Sequence, residues 1–157
     1  MAVLAGGSIR QVGRVHEVFT RPADVVVAAA VGVETVTPGE VVERGENLVV
    51  VRVGTVRILA RQEVPLPPSV FVCIRAEDVM LETAPRATTS ARNQLPGRIV
   101  AMQPEGGVVR VTVECGFSLS ALVTRPACDE LRLATGVAVT AVVKATAVHL
   151  VARMSGA

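Results

Sequence analysis

Two short stretches of this sequence concentrate hydrogen-bond donors in a chain that is otherwise mostly apolar. The first is residues 89–99, whose polar side chains at the start are those of Thr89, Ser90, Arg92 and Asn93. The second is residues 143–148, which adds the ammonium group of Lys144 and the hydroxyl of Thr146. Together they offer cationic side chains, several neutral donors and main-chain N–H groups, which are the groups that bind a small anion.

The absence of carboxylates narrows the class of anion. No Asp or Glu occurs in residues 87–97 or 131–157. Molybdate, tungstate and sulfate carry no proton at neutral pH and only accept hydrogen bonds, whereas phosphate keeps a proton part of the time and favours an acceptor such as Asp. The residue types therefore predict a site for a fully deprotonated oxyanion, without a metal ion. Its predicted residues are Thr89, Ser90, Ala91, Arg92, Lys144, Ala145 and Thr146, with Ala91 and Ala145 contributing main-chain N–H groups.

A purely structural interpretation of the same residues stays open at this stage. Polar residues before a strand are typical of a loop that enters a barrel, and the Asn93 side chain would then bond its own turn. Lys144 would be an ordinary exposed strand residue. The sequence does not show that residues 90 and 144 meet in space.

Composition limits the other functions. Half of the 157 residues are hydrophobic, with three Phe and no Trp or Tyr, and the formal net charge is +2. A weak charge and a lack of stacking aromatics argue against nucleic-acid binding. The longest apolar run, Val25–Val33, is far shorter than the roughly 20 residues of a membrane-spanning helix. Cys73, Cys115 and Cys128 have no metal-type spacing, so they are expected to be reduced thiols, the first two in strands.

The Val-rich pattern predicts many short strands. Residues 1–30 are expected to form a hairpin at Gly6-Gly7, strands Ala2–Leu4 and Ser8–Val12, and helices Val15–Phe19 and Val25–Ala30, the latter capped by Asp24. The next strands are expected at Glu40–Glu43, Leu48–Val53, Thr55–Ala60, Val70–Arg75 and Val79–Leu81. The last set is expected at Arg98–Gln103, Val108–Glu114, Ser118–Val123, Val137–Val143 and Val148–Val151, with a helix over Ala127–Leu133 capped by Thr124. Alternation with Val148 and Leu150 predicts that His149 faces solvent.

An internal repeat organises these strands. Pro38–Val42 matches Pro96–Val100, and Ile74–Leu81 matches Val143–Leu150, in the same order. Five strands and one short helix per copy predict tandem OB-like barrels. The fold class is therefore mostly β: two small OB-like β-barrels preceded by a short α/β segment. The predicted division is 1–30, 31–85 (the first repeat) and 86–157 (the second repeat).

The two repeats differ where the anion would bind. The first repeat lacks counterparts of Ser90 and Arg92, and Glu77-Asp78 replaces Thr146-Ala147. Because carboxylates repel a dianion, anion binding is assigned to the second repeat only.

Two segments resemble a known family. Ser90–Gly97, followed by Ala141–Val148, resembles the molybdate-binding domain of molbindins, also found in molybdate-responsive regulators and in molybdate transporter ATPases. This resemblance implies an OB-like barrel that binds the oxyanion between subunits. It implies side-chain ligands Ser90, Arg92 and Lys144 and main-chain donors at Ala91 and Ala145. Thr146 stands where the family often has Ser or Pro.

The N-terminal region resembles the end of an ABC transporter ATPase domain. The resemblance rests on Val3–Gly13, Glu17–Phe19 and Arg21–Asp24, while Arg75–Val79 resembles the first accessory barrel segment of such ATPases. It implies the C-terminal regulatory region (TOBE/molbindin-like) of a molybdate-type importer ATPase. The chain contains neither a GxxxxGK[ST] phosphate loop nor an LSGGQ signature, so we expect it not to be an enzyme and to hold no cofactor.

These resemblances imply a regulatory module that senses intracellular molybdate or tungstate at a homodimer interface. The alternative is a purely structural dimerisation module of a transporter ATPase. A free molybdate store is disfavoured, because storage needs only the barrels. The implied partners are a second copy of the chain, the oxyanion and, through the parent ATPase, a transporter permease. Neither nucleic acid nor membrane insertion is expected, and the implied location is cytoplasmic, at the inner face of the cell membrane.

Overall fold

The computed structural model describes residues 1–84 and 88–154. Residues 85–87 of the predicted linker and residues 155–157 of the predicted second repeat lie outside the described residues. The N-terminal elements are β1 (Ala2–Ala5), β2 (Ser8–Val12), α1 (Val15–Thr20) and α2 (Val25–Ala30). The first repeat contains β3 (Thr35–Arg44), β4 (Leu48–Val53), β5 (Val56–Arg61), β6 (Ser69–Ile74) and β7 (Met80–Glu82). The second contains β8 (Asn93–Glu105), β9 (Val108–Glu114), β10 (Ser118–Thr124), α3 (Arg125–Glu130), β11 (Ala138–Val143) and β12 (His149–Ala152).

The N-terminal hairpin and helices form where the sequence predicts them. Gly6 and Gly7 both have positive φ, as a two-residue hairpin turn requires. The Asp24 carboxylate accepts a hydrogen bond from Val27 N–H at 2.9 Å and so caps α2. The same capping bond lowers the pKa of Asp24, since it favours the charged carboxylate.

These N-terminal elements dock against β6 and β12 and share a hydrophobic cluster with them. The buried members of this cluster are Val3, Val18, Val27, Ala28, Val31, Val33, Cys73 and Val151. The opposite face of the hairpin is uncovered: Leu4, Ile9 and Val12 are each more than 60% exposed. The helices and one face of the hairpin therefore complete a core, while the apolar side chains of the other face stand in solvent.

The repeats form two five-stranded antiparallel sheets that exchange their last strands. The first sheet has the order β12-β6-β3-β4-β5, and the second has the order β10-β9-β8-β11-β7. Strand β7 of the first repeat pairs with β11, and β12 of the second repeat pairs with β6. The predicted division at residues 85 and 86 separates the repeats in sequence, but it does not separate the two sheets.

The pairing registers show that the repeats are related by pseudo-twofold symmetry. Leu81 pairs with Ala141 just as Leu150 pairs with Val72. The register irregularity between Val41 and Glu43 in β3 recurs between Ile99 and Ala101 in β8. The two irregularities are 58 positions apart in sequence, which is the spacing of the two Pro-Gly motifs.

Both Pro-Gly motifs lie inside strands, whereas the sequence predicted that each strand begins after its Pro-Gly pair. Pro38 pairs with Phe71 of β6, and the ladder to β4 begins only at Glu40. Pro96 likewise pairs with Thr140 of β11, and the ladder to β9 begins at Arg98. Each proline sits where its strand has a neighbour on one side only, so its missing N–H costs no hydrogen bond in the ladder.

The glycines after these prolines allow the close approach of the next strand. A Cβ atom at Gly97 would lie 2.4 Å from the Glu114 carbonyl oxygen, and one at Gly39 would lie 2.6 Å from Cγ1 of Val51. Any side chain at either position would therefore force the sheet apart at its bend.

One hydrophobic core spans both sheets. Most of its members come from β4, β5 and β6 of the first repeat and from β8, β9, β10 and β11 of the second, joined by Val79, Leu81, Val148 and Leu150 from the exchanged segments. The architecture is mostly β, made of curled sheets of the OB-like type, as the sequence predicted. Among the described residues, no helix is long and apolar enough to cross a membrane.

Candidate functional site

The ladder between β8 and β11 brings the two donor-rich stretches together. Asn93 pairs with Val143, and Gln94 pairs with Val142. Because the strands are antiparallel, Arg92 and Lys144 are the next residues beyond the same end of the ladder. Both side chains are exposed. The structure therefore places side by side the two cations that the sequence could not show to be neighbours.

Asn93 anchors this end of β8 to the other sheet. Its side chain is 97% buried, and it bonds both main-chain groups of Leu59 in β5. Asn93 Oδ1 accepts from Leu59 N–H at 2.8 Å, and Asn93 Nδ2 donates to the Leu59 carbonyl at 2.9 Å. The structural alternative in which Asn93 bonds its own turn is wrong. The side chain instead fixes Arg92, one residue earlier, relative to the first sheet.

A 3₁₀ turn over Ala145–Ala147 follows Lys144. Ala147 N–H donates to the Lys144 carbonyl at 2.9 Å, and Val148 N–H donates to the Ala145 carbonyl at 3.4 Å. The N–H groups of Ala145 and Thr146 precede these donors, so the turn itself offers them no partner. Lys144 has no side-chain bond that caps the turn. The turn packs against β5.

The main chain of the first stretch is arranged differently from the prediction. Ala91 N–H donates to the Thr89 hydroxyl oxygen at 3.2 Å, so two of the predicted anion donors bond each other. Ala91 itself is buried in the core, while Ser90 is exposed beside it. The Thr89 and Ser90 hydroxyl protons remain available to a ligand at the surface.

The charge at this surface is positive and uncompensated. Within residues 1–84 and 88–154, neither Arg92 nor Lys144 has an ion-pair partner. Other arginines of the described residues are paired, for example Arg10 with Asp24 at 2.9 Å and Arg153 with Glu40 at 2.8 Å. The arrangement can therefore neutralise an anion without first breaking an ion pair.

A cavity of about 520 Å³ lies beside the turn. It is lined by α1 and the residues after it, by the segment after β5, by the end of β6 with the turn that follows, and by the turn over Ala145–Ala147 with the start of β12. Its lining residues include Phe19, Arg21, Glu63, Arg75, Thr146 and His149. The sequence did not predict this cavity, because its walls come from segments that lie far apart in the chain. Thr146 lines the cavity, and its side chain is exposed.

The prediction that His149 faces solvent is wrong. The ring is half-buried on the cavity wall, where Nε2–H donates to the Pro22 carbonyl at 3.0 Å. Burial lowers the pKa of His149, and the bond to Pro22 opposes this only in part. Side-chain alternation predicted the face of β12 on which His149 lies, but the docked N-terminal segment covers that face.

We expect the His149 pKa to make stability depend on pH. Its folded-state pKa lies below its unfolded value, so its contribution is complete above the unfolded pKa of about 6.5 and is lost as pH falls toward the folded value. The melting temperature should therefore be a few degrees lower at pH 5 than at pH 7.5. Thermal denaturation of His149→Gln should show a flatter dependence in this window. His16→Gln, which changes an exposed histidine, is the control and should keep the slope of the unaltered protein.

The cysteines have the properties of structural thiols. Burial raises the pKa of Cys73 to about 12 and that of Cys115 to about 11. Cys73 lies in β6 as predicted, whereas Cys115 lies one residue beyond the end of β9. Protonated thiols at neutral pH are poor nucleophiles, so neither side chain offers catalytic chemistry.

A match to a known protein family covers the segment that contains the candidate site. Residues 89–150, from the first predicted ligand to the start of β12, match the model of the TOBE domain. This segment is a TOBE domain. It contains all seven residues predicted to bind the oxyanion.

Similarity to curated proteins extends over most of the chain. It is 33% identical over 137 residues to the molybdate/tungstate import ATP-binding protein WtpC of Pyrococcus abyssi, covering 87% of this chain and 38% of that protein. It is 34% identical to WtpC of Pyrococcus horikoshii, covering 96% and 41%, and 31% identical to the molybdenum import ATP-binding protein ModC of Rhizobium etli, covering 95% and 43%. The chain thus spans about two fifths of the length of these relatives. The predicted resemblance to the TOBE-containing region of molybdate-type transporter ATPases is confirmed.

A solved structure has a similar fold. The cytoplasmic molybdate-binding protein ModG, in a form with molybdate bound, superposes with a TM-score of 0.65 at 25% identity. The match covers 76% of this chain and 96% of ModG. Together with the TOBE match, it supports the OB-like fold class predicted from the repeat.

Proposed function

We propose that this chain is a regulatory module of an ABC importer ATPase that binds molybdate or tungstate at its second repeat. The observation that carries the proposal is the pairing of Asn93 with Val143, which places Arg92 beside Lys144 in front of the Ala145–Ala147 turn. The names of the relatives, which are import ATP-binding proteins for molybdate, tungstate or molybdenum, support the choice of ligand.

Each group at the site has a role that follows from its chemistry. Arg92 and Lys144 offset the two negative charges, with Arg92 able to donate two parallel hydrogen bonds. The Ser90 and Thr89 hydroxyls and the Ala145 and Thr146 N–H groups donate to the remaining oxygens. The Ala91 N–H can join them only when the Thr89 hydroxyl turns away, since the two are bonded in this structure.

The openness of the site supports binding at a dimer interface. Ser90, Arg92, Lys144 and Thr146 are all exposed, so one chain encloses an oxyanion on one side only. A second copy of the chain would complete the enclosure and exclude water, which strengthens each charged hydrogen bond. Ligand bound between two copies must also favour the dimer by mass action.

In a complete transporter we infer that this module reports intracellular oxyanion to the ATPase. The parent protein would act at the cytoplasmic face of the membrane together with a permease, and this chain would contribute no catalysis. Ligand-bound dimers would hold the ATPase domains apart and slow import. If saturating molybdate left the ATPase rate of the reconstituted parent transporter unchanged, this regulatory role would be wrong.

A second candidate is a structural dimerisation module that binds no ligand. The exchange of β7 and β12 and the bonds of Asn93 to Leu59 favour it, because they stabilise the two sheets without any ligand. Under this alternative the cations would only contact a partner chain. The dimer would then form equally well with and without oxyanion.

Calorimetric titration separates the two candidates. The chain, shown by sedimentation to be a folded dimer, is titrated with molybdate and tungstate and, as controls, with sulfate and phosphate. We expect saturable binding of molybdate and tungstate, with phosphate weakest. A folded dimer that releases no binding heat with any of these oxyanions, and shows none by equilibrium dialysis, would leave the structural module.

A further inference from the structure

The pseudo-twofold symmetry defines a counterpart of the candidate site in the first repeat. Thr35 pairs with Ile74 just as Asn93 pairs with Val143. The residues beyond that end of the ladder correspond one to one. Gly32, Glu34, Arg75, Ala76 and Glu77 stand where the second repeat has Ser90, Arg92, Lys144, Ala145 and Thr146.

The surrounding structure is also duplicated. A 3₁₀ turn over Ala76–Asp78 follows Arg75, as the turn over Ala145–Ala147 follows Lys144. The Thr35 hydroxyl oxygen accepts from Ser120 N–H of β10 at 3.1 Å, where Asn93 bonds Leu59 of β5. Counting along the equivalent ladders places Ser120 at the position of Leu59. The two regions therefore have the same main-chain frame and differ in side chains.

In the first repeat, the carboxylate of Glu34 bonds the main chain of the turn. Glu34 Oε2 accepts from Ala76 N–H at 2.9 Å, and Glu34 Oε1 lies 3.4 Å from a guanidinium nitrogen of Arg110. Ala76 is the counterpart of Ala145, whose N–H is a proposed oxyanion donor. In the first repeat, the Glu34 carboxylate thus accepts from the Ala76 N–H. In the second repeat, the equivalent N–H of Ala145 has no partner within its turn.

Other charges near Glu34 discourage a further anion. Glu77 and Asp78 lie in the same turn, and Arg75 donates to Glu77 at 2.7 Å. Burial raises the pKa of Asp78, and the charges of Glu77 and Glu34 raise it further. The cation at the Lys144 position is therefore already paired, and the region already holds three carboxyl groups.

We propose that Glu34 is a resident anion, which occupies in the first repeat the position of the oxyanion in the second. This inference rests on the proposed function, because it gives Glu34 the role of an absent ligand. Under this proposal, Glu34 is the residue that restricts oxyanion binding to one repeat per chain. The turn of the first repeat then has an anionic acceptor permanently, while the turn of the second has one only when ligand is bound.

Amide hydrogen exchange at Ala76 and Ala145 tests this assignment. In the unaltered chain, the Ala76 amide should exchange slowly with or without molybdate, whereas the Ala145 amide should become protected only when molybdate is added. Glu34→Ala should speed Ala76 exchange by about 10- to 100-fold, the effect of losing a hydrogen bond to a charged acceptor. Glu34→Gln keeps a neutral acceptor and should give a smaller increase.

Glu105→Ala provides a matched control. Glu105 bonds the same Arg110, at 2.7 Å and 3.0 Å, but Ala76 N–H donates to Glu34 rather than to Glu105. Its loss should leave Ala76 exchange unchanged. If molybdate slows exchange of the Ala145 amide while Glu34→Ala leaves the Ala76 amide protected, the role proposed for Glu34 is wrong and the proposed function stands. If Ala145 does not respond to molybdate, the proposed function fails, and the role of Glu34 as a substitute for a ligand fails with it.

Discussion

Replacing Lys144 with Ala is expected to weaken molybdate binding by about 10- to 100-fold, and Arg92→Ala should have a similar effect. Each variant removes a cation that is proposed to donate charged hydrogen bonds to the oxyanion and that has no ion-pair partner in the part of the chain that the structure describes. Calorimetric titration measures the change directly. Because both side chains are exposed, we expect the melting temperature without ligand to stay within about 2 °C of the unaltered value.

A loss of binding is informative only if it is specific to these two cations. Arg98→Ala is the matched control, since it removes one charge from β8, six residues after Arg92. Arg98 donates to the Gly136 carbonyl at 3.0 Å, away from the site, so binding should change by less than about threefold. Lys144→Arg should restore part of the affinity. Equal loss in Arg98→Ala and Lys144→Ala would show a general effect of net charge and would contradict the site.

Local patterns in the sequence predicted most of the elements. The strands Leu48–Val53 and Val108–Glu114 have the bounds that were predicted, and Thr124 caps α3 by accepting from Ala127 N–H. These features depend on side-chain alternation and on capping within a few residues, which a single sequence contains.

The choice of partner for each strand could not be predicted in the same way. Alternation identified Val79–Leu81 and Val148–Val151 as strands, but it carries no information on which sheet each one joins. The turns at Ala76–Asp78 and Ala145–Ala147 redirect the chain into the opposite sheet, and the exchange follows from their geometry. The covered face of His149 was missed for the same reason, since the Pro22 carbonyl lies 127 residues away.

The candidate site was predicted as a set of residue types, and its placement depended on a long-range register. Donor chemistry without carboxylates identified Arg92 and Lys144. Only the ladder between β8 and β11 shows that they adjoin. The role proposed for Glu34 does not follow from the sequence repeat as described above, which covers only its Pro-Gly and turn segments. Extending that alignment by four residues toward the N-terminus places Glu34 opposite Arg92 and would have shown the exchange of charge.

Asn93→Ala is expected to lower the free energy of unfolding by about 2–4 kcal/mol. The side chain satisfies both the N–H and the carbonyl of Leu59, so its removal leaves two partly buried main-chain groups without partners. It also opens a void at a position that is 97% buried. Chemical denaturation followed by circular dichroism gives the change, provided that the slope with denaturant stays constant.

The pseudo-symmetric residue supplies the comparison. Thr35→Val keeps the side-chain volume and removes one acceptor, that for Ser120 N–H, so it should cost about 1–2 kcal/mol, roughly half as much. Because Asn93 also fixes the start of β8, Asn93→Ala should weaken molybdate binding as well. Thr35→Val should not, because Thr35 is the counterpart of Asn93 in the first repeat. Equal effects of the two variants on binding would show that affinity follows global stability rather than the position of Arg92. A loss of binding confined to Asn93→Ala, measured well below its unfolding transition, would establish that the bond between the sheets positions the site.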